Sequence, residues 1–290
     1  MKSVRKFISY GKASVSLCAA VVALSVLLFM GSAMATPIIT FTLSDGDSTA
    51  TGDLNGSSAG MNSWSVGSQN ELNKQWFWYA IGSTAPQPID SLGLSSYYTT
   101  GNNEVTATYQ NPQLALTIDY VLSGGGVGSG SADITESISV VNNSGASINF
   151  HFYQYSDFNL LGSGANDSVQ LFGVPGSWNF VQQTAGASGI GEAIVAPDAN
   201  HGEAALYGVN GQTLSELNGP SPLTLNDNAS AGPGDVTWAL EWDPTIANGG
   251  TFDLTKDKSL FIQVVPEPST LALIALGLGA WGLARRRQSV

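Results

Sequence analysis

The chain has 290 residues, and its 22 acidic residues outnumber its 10 basic residues to give a formal net charge of −12 at pH 7. Seven of the basic residues lie in residues 1–35 and 285–287, so residues 36–268 keep three lysines, all the acidic residues and a formal charge of −19. Phosphate recognition needs clustered Lys and Arg, which excludes nucleic acid and anionic lipid as electrostatic partners of this part.

The N-terminus predicts an export signal. Four basic residues lie within residues 2–12, residues 15–30 are apolar, and Ala33 and Ala35 occupy the two small-residue positions of a signal-peptidase site. These residues favour cleavage before Thr36 over an uncleaved membrane anchor. We therefore expect residues 1–35 to be a signal peptide and the mature chain to begin outside the cytoplasm.

Three aspartates come soon after the expected cleavage site. Asp45, Asp47 and Asp53 present carboxylates at spacings that resemble a Ca²⁺-binding loop. The EF-hand order is broken, because Thr49 replaces the third acidic ligand and no Glu stands at the twelfth position. We expect a solvated acidic loop with Ca²⁺ as the alternative, and otherwise no metal or cofactor. Residues 36–60 contain few apolar side chains, which predicts a partly loose segment.

The densest aromatic cluster lies at residues 76–79. In a strand, Trp76 and Trp78 share one face, and Phe77 and Tyr79 share the other. One face is expected in the core. If the tryptophan face is exposed, it forms a flat platform that can stack on sugar rings, and the alternative is a strand covered on both faces.

The rest of residues 36–265 reads as β structure. Apolar and polar side chains alternate over residues 105–109, 114–122, 236–242 and 260–264, and Gly, Asn, Ser and Pro clusters separate such runs. Strands at 114–122, 134–141 and 148–155 predict an antiparallel meander, and Lys256 to Val265 predicts the last strand. We expect an all-β fold, a single antiparallel β-sandwich of about a dozen strands. The single cysteine, Cys18, lies in the expected signal peptide, so a hydrophobic core rather than disulfides must stabilise this domain.

Two histidines occur in the chain. His151 and His201 could bind zinc together with Asp157, Asp198 or Glu203. Neither segment has a recognised spacing such as H-E-x-x-H, and the alternative is one strand histidine and one loop histidine with no metal. No pair of carboxylates is marked out for glycoside hydrolysis, and no G-x-S-x-G sequence surrounds a serine. The sequence therefore predicts no catalytic residue and a protein that is not an enzyme.

The C-terminus has three parts. Pro266, Glu267 and Pro268 precede an uncharged segment, residues 269–284, and Arg285, Arg286 and Arg287 follow it. The apolar segment predicts a short transmembrane helix, with a buried core helix as the alternative. The three arginines should stay cytoplasmic, which leaves residues before 266 on the outer side.

This tail resembles the PEP-CTERM sorting signal of Gram-negative bacteria that make exopolysaccharide. The resemblance covers residues 266–290 and implies recognition by an exosortase, a membrane enzyme thought to cut near Pro266-Glu267-Pro268. We expect signal peptidase, an exosortase-like enzyme and membrane lipid as partners, and membrane anchoring followed by transfer to the cell surface or medium.

Three functions remain open for residues 36–265. The leading one is a non-catalytic surface or matrix protein associated with extracellular polysaccharide in a biofilm. The second is a glycan-binding module that uses the Trp76 and Trp78 face. The third is a secreted hydrolase, which would require acidic or histidine residues to converge in one cleft.

Overall fold

The structure is a computed structural model that describes residues 37–209 and 212–263. The expected signal peptide, with Ala33, Ala35 and Thr36, lies outside the described residues. So does the sorting segment, with Pro266, Glu267, Pro268 and Arg285 to Arg287. Within the described ranges, no helix has the length and apolar character needed to cross a membrane.

The described residues form nineteen strands. The first ten are β1 (Thr40–Asp45), β2 (Ser48–Asp53), β3 (Gly60–Val66), β4 (Gln69–Asn70), β5 (Leu72–Ile81), β6 (Gln87–Pro88), β7 (Leu94–Thr100), β8 (Glu104–Gln110), β9 (Leu114–Gly124) and β10 (Ser131–Asn142). The others are β11 (Ile148–Phe158), β12 (Asp167–Val174), β13 (Ser177–Ala185), β14 (Ser188–Ala196), β15 (His201–Leu206), β16 (Ser230–Gly234), β17 (Val236–Trp242), β18 (Thr245–Ile246) and β19 (Thr251–Phe261). One short helix, α1 (Thr213–Leu217), and two 3-10 turns, Ile89–Leu92 and Leu160–Gly162, accompany them.

These strands make two antiparallel sheets. Sheet 1 has the order β1-β2-β3-β5-β11-β17-β15, and the two-residue strands β4, β6 and β18 pair at its margins. Sheet 2 has the order β16-β12-β13-β14-β19-β10-β9-β8-β7. The fold is therefore an all-β sandwich, as the alternation predicted, with more strands than the dozen expected from sequence.

The core lies between the inner faces of the two sheets. Every second residue of β9 is buried, as the alternation at residues 114–122 predicts for a strand with one face on a core. Phe77 of β5 stacks on Tyr120 of β9 with ring centroids 6.5 Å apart, and Phe41 of β1 stacks on the same tyrosine at 5.9 Å. Aromatic contacts of this kind join sheet 1 to sheet 2.

The expectation of a loose early segment was wrong, whereas the expected last strand is present with different bounds. Residues 40–53 are an ordered hairpin rather than a loose segment, because Phe41, Leu43 and Ala50 bury their side chains in the core. A strand with one buried face needs few apolar residues, so the low apolar content was misleading. The last strand, β19, begins at Thr251, five residues before Lys256, where its expected start lay.

The predicted meander is half correct. Strands β9 and β10 pair antiparallel, but β10 and β11 belong to different sheets. Between these two strands, Asn142 Nδ2 donates to the carbonyls of Ala146, Ile246 and Ala247 at 2.7, 2.8 and 3.1 Å. These hydrogen bonds hold a corner that carries the chain from sheet 2 to sheet 1.

Candidate functional site

Functional side chains gather on the outer face of sheet 1, the face turned away from sheet 2. The register places Trp78, Tyr153, Glu241 and His201 side by side across β5, β11, β17 and β15. Residues at these alternate positions point away from Phe77, which contacts the core through Tyr120. The pairing of four strands thus brings aromatic, acidic and histidine side chains into one row.

A covering segment, residues 212–229, lies over this row. The Tyr153 hydroxyl donates to the carbonyl of Leu223 at 2.8 Å, and the Leu225 amide donates to Glu241 Oε2 at 2.8 Å. Thr213 of α1 donates its hydroxyl to Glu203 Oε1. Buried carboxylates of the sheet therefore fix the backbone of the covering segment.

The two tryptophans are not an exposed platform. Trp76 and Trp78 are 1% and 2% exposed, which corrects the expectation that their face could be open to solvent. Trp76 Nε1 donates to Asp90 Oδ1 at 3.3 Å, and Trp78 Nε1 donates to Asn218 Oδ1 at 3.2 Å. The 3-10 turn at residues 89–92 and the covering segment supply these acceptors and hide the rings.

Both tryptophans do line one cavity of about 500 Å³. Its other walls include Lys74, Asp90, Leu214 and Asn218. Burial lowers the pKa of Lys74, although Asp90 opposes this change, and Lys74 Nζ donates to the carbonyl of Ala59 at 3.1 Å. Burial raises the pKa of Asp90, and the hydrogen bond from Trp76 partly offsets the rise. The cavity thus combines two indoles with one cation and one acid.

A second group of polar residues lies at the other side of the row. His151 Nδ1 donates to Asp243 Oδ1 at 2.5 Å and lies 3.6 Å from Glu241 Oε1. His201 Nδ1 donates to Asp227 Oδ2 at 2.9 Å, and its Nε2 lies 3.7 Å from Asp243 Oδ2. We call these five residues the histidine cluster.

Glu241 is the buried member of the histidine cluster. Its side chain is 0% exposed, and burial raises its pKa to about 8, with a further contribution from Asp243. The other four members are partly exposed. One ligand atom each from His151, Glu241 and Asp243 lies within 4.8 Å of the others, so these three residues could hold a metal ion.

The comparisons with known proteins address the tail and the fold separately. A family model described as the PEP-CTERM protein-sorting motif matches residues 264–288. The chain carries a PEP-CTERM sorting motif. A search of curated proteins found no match for the chain.

Solved structures show the fold of the part that precedes the PEP-CTERM motif. A galactose mutarotase related enzyme from Lactobacillus acidophilus is 9% identical, with a TM-score of 0.52 over 78% of this chain and 100% of that chain. A bacterial glucoamylase complexed with acarbose is 12% identical, with a TM-score of 0.51 over 85% of this chain and 36% of that chain. A galactose mutarotase-like protein from Lactobacillus casei ATCC 334 is 13% identical, with a TM-score of 0.47 over 77% and 100%. At such identities the likeness shows a galactose mutarotase-like sandwich fold alone.

The motif match confirms the resemblance seen at the C-terminus. Pro266, Glu267, Pro268 and Arg285 to Arg287 all fall within the matched residues 264–288. A PEP-CTERM motif implies export, C-terminal anchoring and processing by an exosortase. The cleavage site and the membrane helix stay predictions, because these residues lie outside the described part of the chain.

The structure changes the expected partners of the histidines. Asp157 accepts from Asn73, Asp198 accepts from Ser177, and Glu203 accepts from Thr213, so these acids serve other contacts. The two histidines instead share Asp243. Sequence reasoning missed Glu241 and Asp243 because strand register, which is not visible in one sequence, brings β17 between β11 and β15. The sequence offered one signal for Glu241, which is an acidic residue on the strand face opposite Trp238 and Trp242 within residues 236–242.

The acidic residues near the N-terminus do not converge on a Ca²⁺ site. Asp45 and Asp53 lie at opposite ends of the β1–β2 hairpin. Asp45 Oδ2 accepts from the Gly124 amide and Asp47 Oδ2 from the Gly128 amide, each at 2.9 Å. These two carboxylates hold the glycine-rich loop between β9 and β10, which corrects the calcium alternative for this segment.

Proposed function

We propose that the chain is an exported, non-catalytic surface or matrix protein associated with extracellular polysaccharide. It is anchored by its tail, cut by an exosortase-like membrane enzyme near Pro266-Glu267-Pro268, and then passed to the surface or medium. The match of the PEP-CTERM motif to residues 264–288 carries this proposal. In this account, the three arginines hold the C-terminus inside until cleavage.

Cell fractionation tests the sorting step. Glu267→Gln, or removal of residues 285–287, should shift the protein between membrane and medium only in a host that contains the processing enzyme. Asp253→Asn, at an exposed position of β19, is the control and should distribute like the wild type. Identical distributions of wild type and tail variants in both hosts would show that the tail is an ordinary anchor.

A second candidate function is glycan binding in the cavity beside Trp76 and Trp78. A cavity of about 500 Å³ with indole walls and a few polar groups is suited to a small sugar unit. Lys74 and Asp90 offset each other in charge, which favours a neutral sugar over an anionic one. Because both indoles are almost wholly buried, they would contact a sugar only as part of the cavity wall.

Affinity electrophoresis through gels with neutral polysaccharide tests glycan binding. The exported protein should be retarded, and the double substitution Lys74→Met with Asn218→Ala should lose the retardation, because it removes two polar groups of the cavity. The control is Tyr98→Ala, which changes an exposed side chain of β7. Equal mobility of wild type and double variant contradicts the cavity as the binding site. Release of reducing ends from the polysaccharide would instead favour a hydrolase.

A further inference from the structure

Three atoms of the histidine cluster are spaced almost as ligands of one metal ion. Nitrogen and oxygen ligands lie about 2.0–2.2 Å from Zn²⁺, and in a tetrahedral site they lie about 3.4 Å from one another. His151 Nδ1 and Glu241 Oε1 are 3.6 Å apart. His151 Nδ1 and Asp243 Oδ1 are 2.5 Å apart, and this pair would need to open by about 1 Å to admit an ion.

The buried carboxylate supplies an independent observation. Glu241 Oε1 has no hydrogen-bond partner among the described residues, although its side chain is 0% exposed. The other oxygen, Oε2, is fixed by the Leu225 amide at 2.8 Å. A buried carboxylate oxygen without a partner is costly, and a cation beside it removes that cost. Because Leu225 orients the carboxylate, Oε1 is held facing His151.

His201 lies beside Asp243 and is held by contacts of its own. Asp227 Oδ2 accepts from His201 Nδ1 at 2.9 Å, which leaves Nε2 on the side of Asp243. Asp227 is itself held, since its Oδ1 accepts from Trp178 Nε1 at 2.9 Å and from the Gly202 amide at 3.2 Å. The ring of His201 is therefore fixed beside Asp243, where it can orient that ligand.

We propose that His151, Glu241 and Asp243 bind a divalent zinc-like cation through one atom each, with a fourth position open to solvent. An imidazole nitrogen with two carboxylates suits Zn²⁺, whereas Ca²⁺ and Mg²⁺ prefer sites made of oxygen atoms alone. The cation would link β11 to β17 and, through Glu241, to the covering segment. His151, Asp243 and His201 are 24%, 25% and 30% exposed, so an ion can enter from solvent.

Calorimetric titration of the exported protein with ZnCl₂, after treatment with a chelator, tests the site. We expect one Zn²⁺ per chain, much weaker binding of CaCl₂, and a higher melting temperature with zinc because binding stabilises the folded state. His151→Ala and Glu241→Gln should each lose the stoichiometric binding. His201→Ala should keep one ion but bind it about 10–100-fold more weakly, in the range reported for lost support of a metal site.

Two controls keep the result decisive. Asp253→Asn removes an exposed carboxylate of β19 and should bind zinc like the wild type. Circular dichroism should show the same strand content in every variant, and Glu241→Gln preserves the side-chain volume and an oxygen for Leu225. Equal zinc binding by wild type, His151→Ala and Glu241→Gln overturns the proposal, as does the absence of saturable binding to the wild type.

Discussion

Two lysines are buried inside the sandwich, although lysine is normally a surface residue. Lys256 and Lys258 of β19 are 0% and 1% exposed and face Glu136 and Glu192, which are also buried. Lys256 Nζ lies 2.5 Å from Glu136 Oε2, and Lys258 Nζ lies 3.1 Å from Glu192 Oε2. Gln154 of sheet 1 donates to Glu192 at 2.7 Å, so the charged group also connects the two sheets.

Removing one charge of this group should be severe. Burial alone would raise the pKa of Glu136, but Lys256 and Lys258 outweigh it and lower that pKa to about 2. Glu136→Gln leaves two buried ammonium groups facing one carboxylate, and we expect a loss of about 3–5 kcal/mol in the free energy of unfolding. Urea unfolding at pH 7.5 measures it, with the exposed Asp253→Asn as control. An unchanged midpoint would contradict a paired, charged core.

Asp157 should make the stability of the fold depend on pH. Burial raises its pKa from 3.8 to about 6, and the hydrogen bond from Asn73 only partly offsets the rise. The folded state therefore holds this proton more tightly than the unfolded chain, and stability at this site falls as pH rises from about 4 to 6.

We expect Asp157→Asn to remove this pH dependence. The variant should be more stable than the wild type at pH 7.5, by about 1–3 kcal/mol, and should lose that advantage at pH 4. Urea unfolding at both pH values is the measurement, and Asp253→Asn gives the response of an exposed carboxylate. A variant that is less stable at pH 7.5 would show that the Asp157 carboxylate stabilises the fold.

At the scale of elements, the covering segment is the feature that makes the outer face of sheet 1 a site. It has a single short helix, α1, and is held by the buried side chains of Leu217 and Leu225 and by hydrogen bonds to the sheet beneath. Tyr153, Glu203 and Glu241 provide these bonds from three different strands. The conformation of the covering segment therefore depends on its contacts with sheet 1.

Tyr153→Phe should loosen the covering segment without harming the core. The substitution removes the hydrogen bond to the Leu223 carbonyl, which contributes on the order of 1 kcal/mol. Hydrogen exchange of amides in residues 212–229 should become faster, while exchange in β9 and β10 stays unchanged. Tyr98→Phe, on exposed edge strand β7, is the matched control. Unchanged exchange over residues 212–229 would show that other contacts hold the segment.

Local patterns in the sequence predicted the positions of strands better than they predicted which strands pair with one another. The alternation at residues 114–122 predicted β9 because a strand with one buried face has a period of two, which is visible in any single sequence. The partner of β11 was missed, because the chain passes from one sheet to the other at the corner beside Asn142, and a short loop in the sequence does not reveal that change of sheet. Glu241 was missed for the same reason, since its neighbours come from other strands.

At the scale of the whole molecule, the chain combines two kinds of information. The tail is a short linear motif, so residues 264–288 could be recognised from sequence without any fold. The sites of the sandwich depend on strand register. The neighbours of its aromatic and histidine residues can therefore be identified only from the pairing of strands in sheet 1. The sorting motif can therefore be recognised from the sequence, whereas the contacts on the outer face of sheet 1 cannot be predicted from it.

We propose that this chain is exported and processed at both ends. Intact-mass spectrometry of the protein recovered from the surface or medium tests it most directly. The account predicts a chain that begins at Thr36 and ends near Pro266-Glu267-Pro268 in a host with the processing enzyme. In a host without that enzyme, the membrane fraction should hold a chain that begins at Thr36 and keeps residues 285–287. A surface or medium form that begins at Met1, or that keeps residues 285–287 when the enzyme is present, would contradict the account.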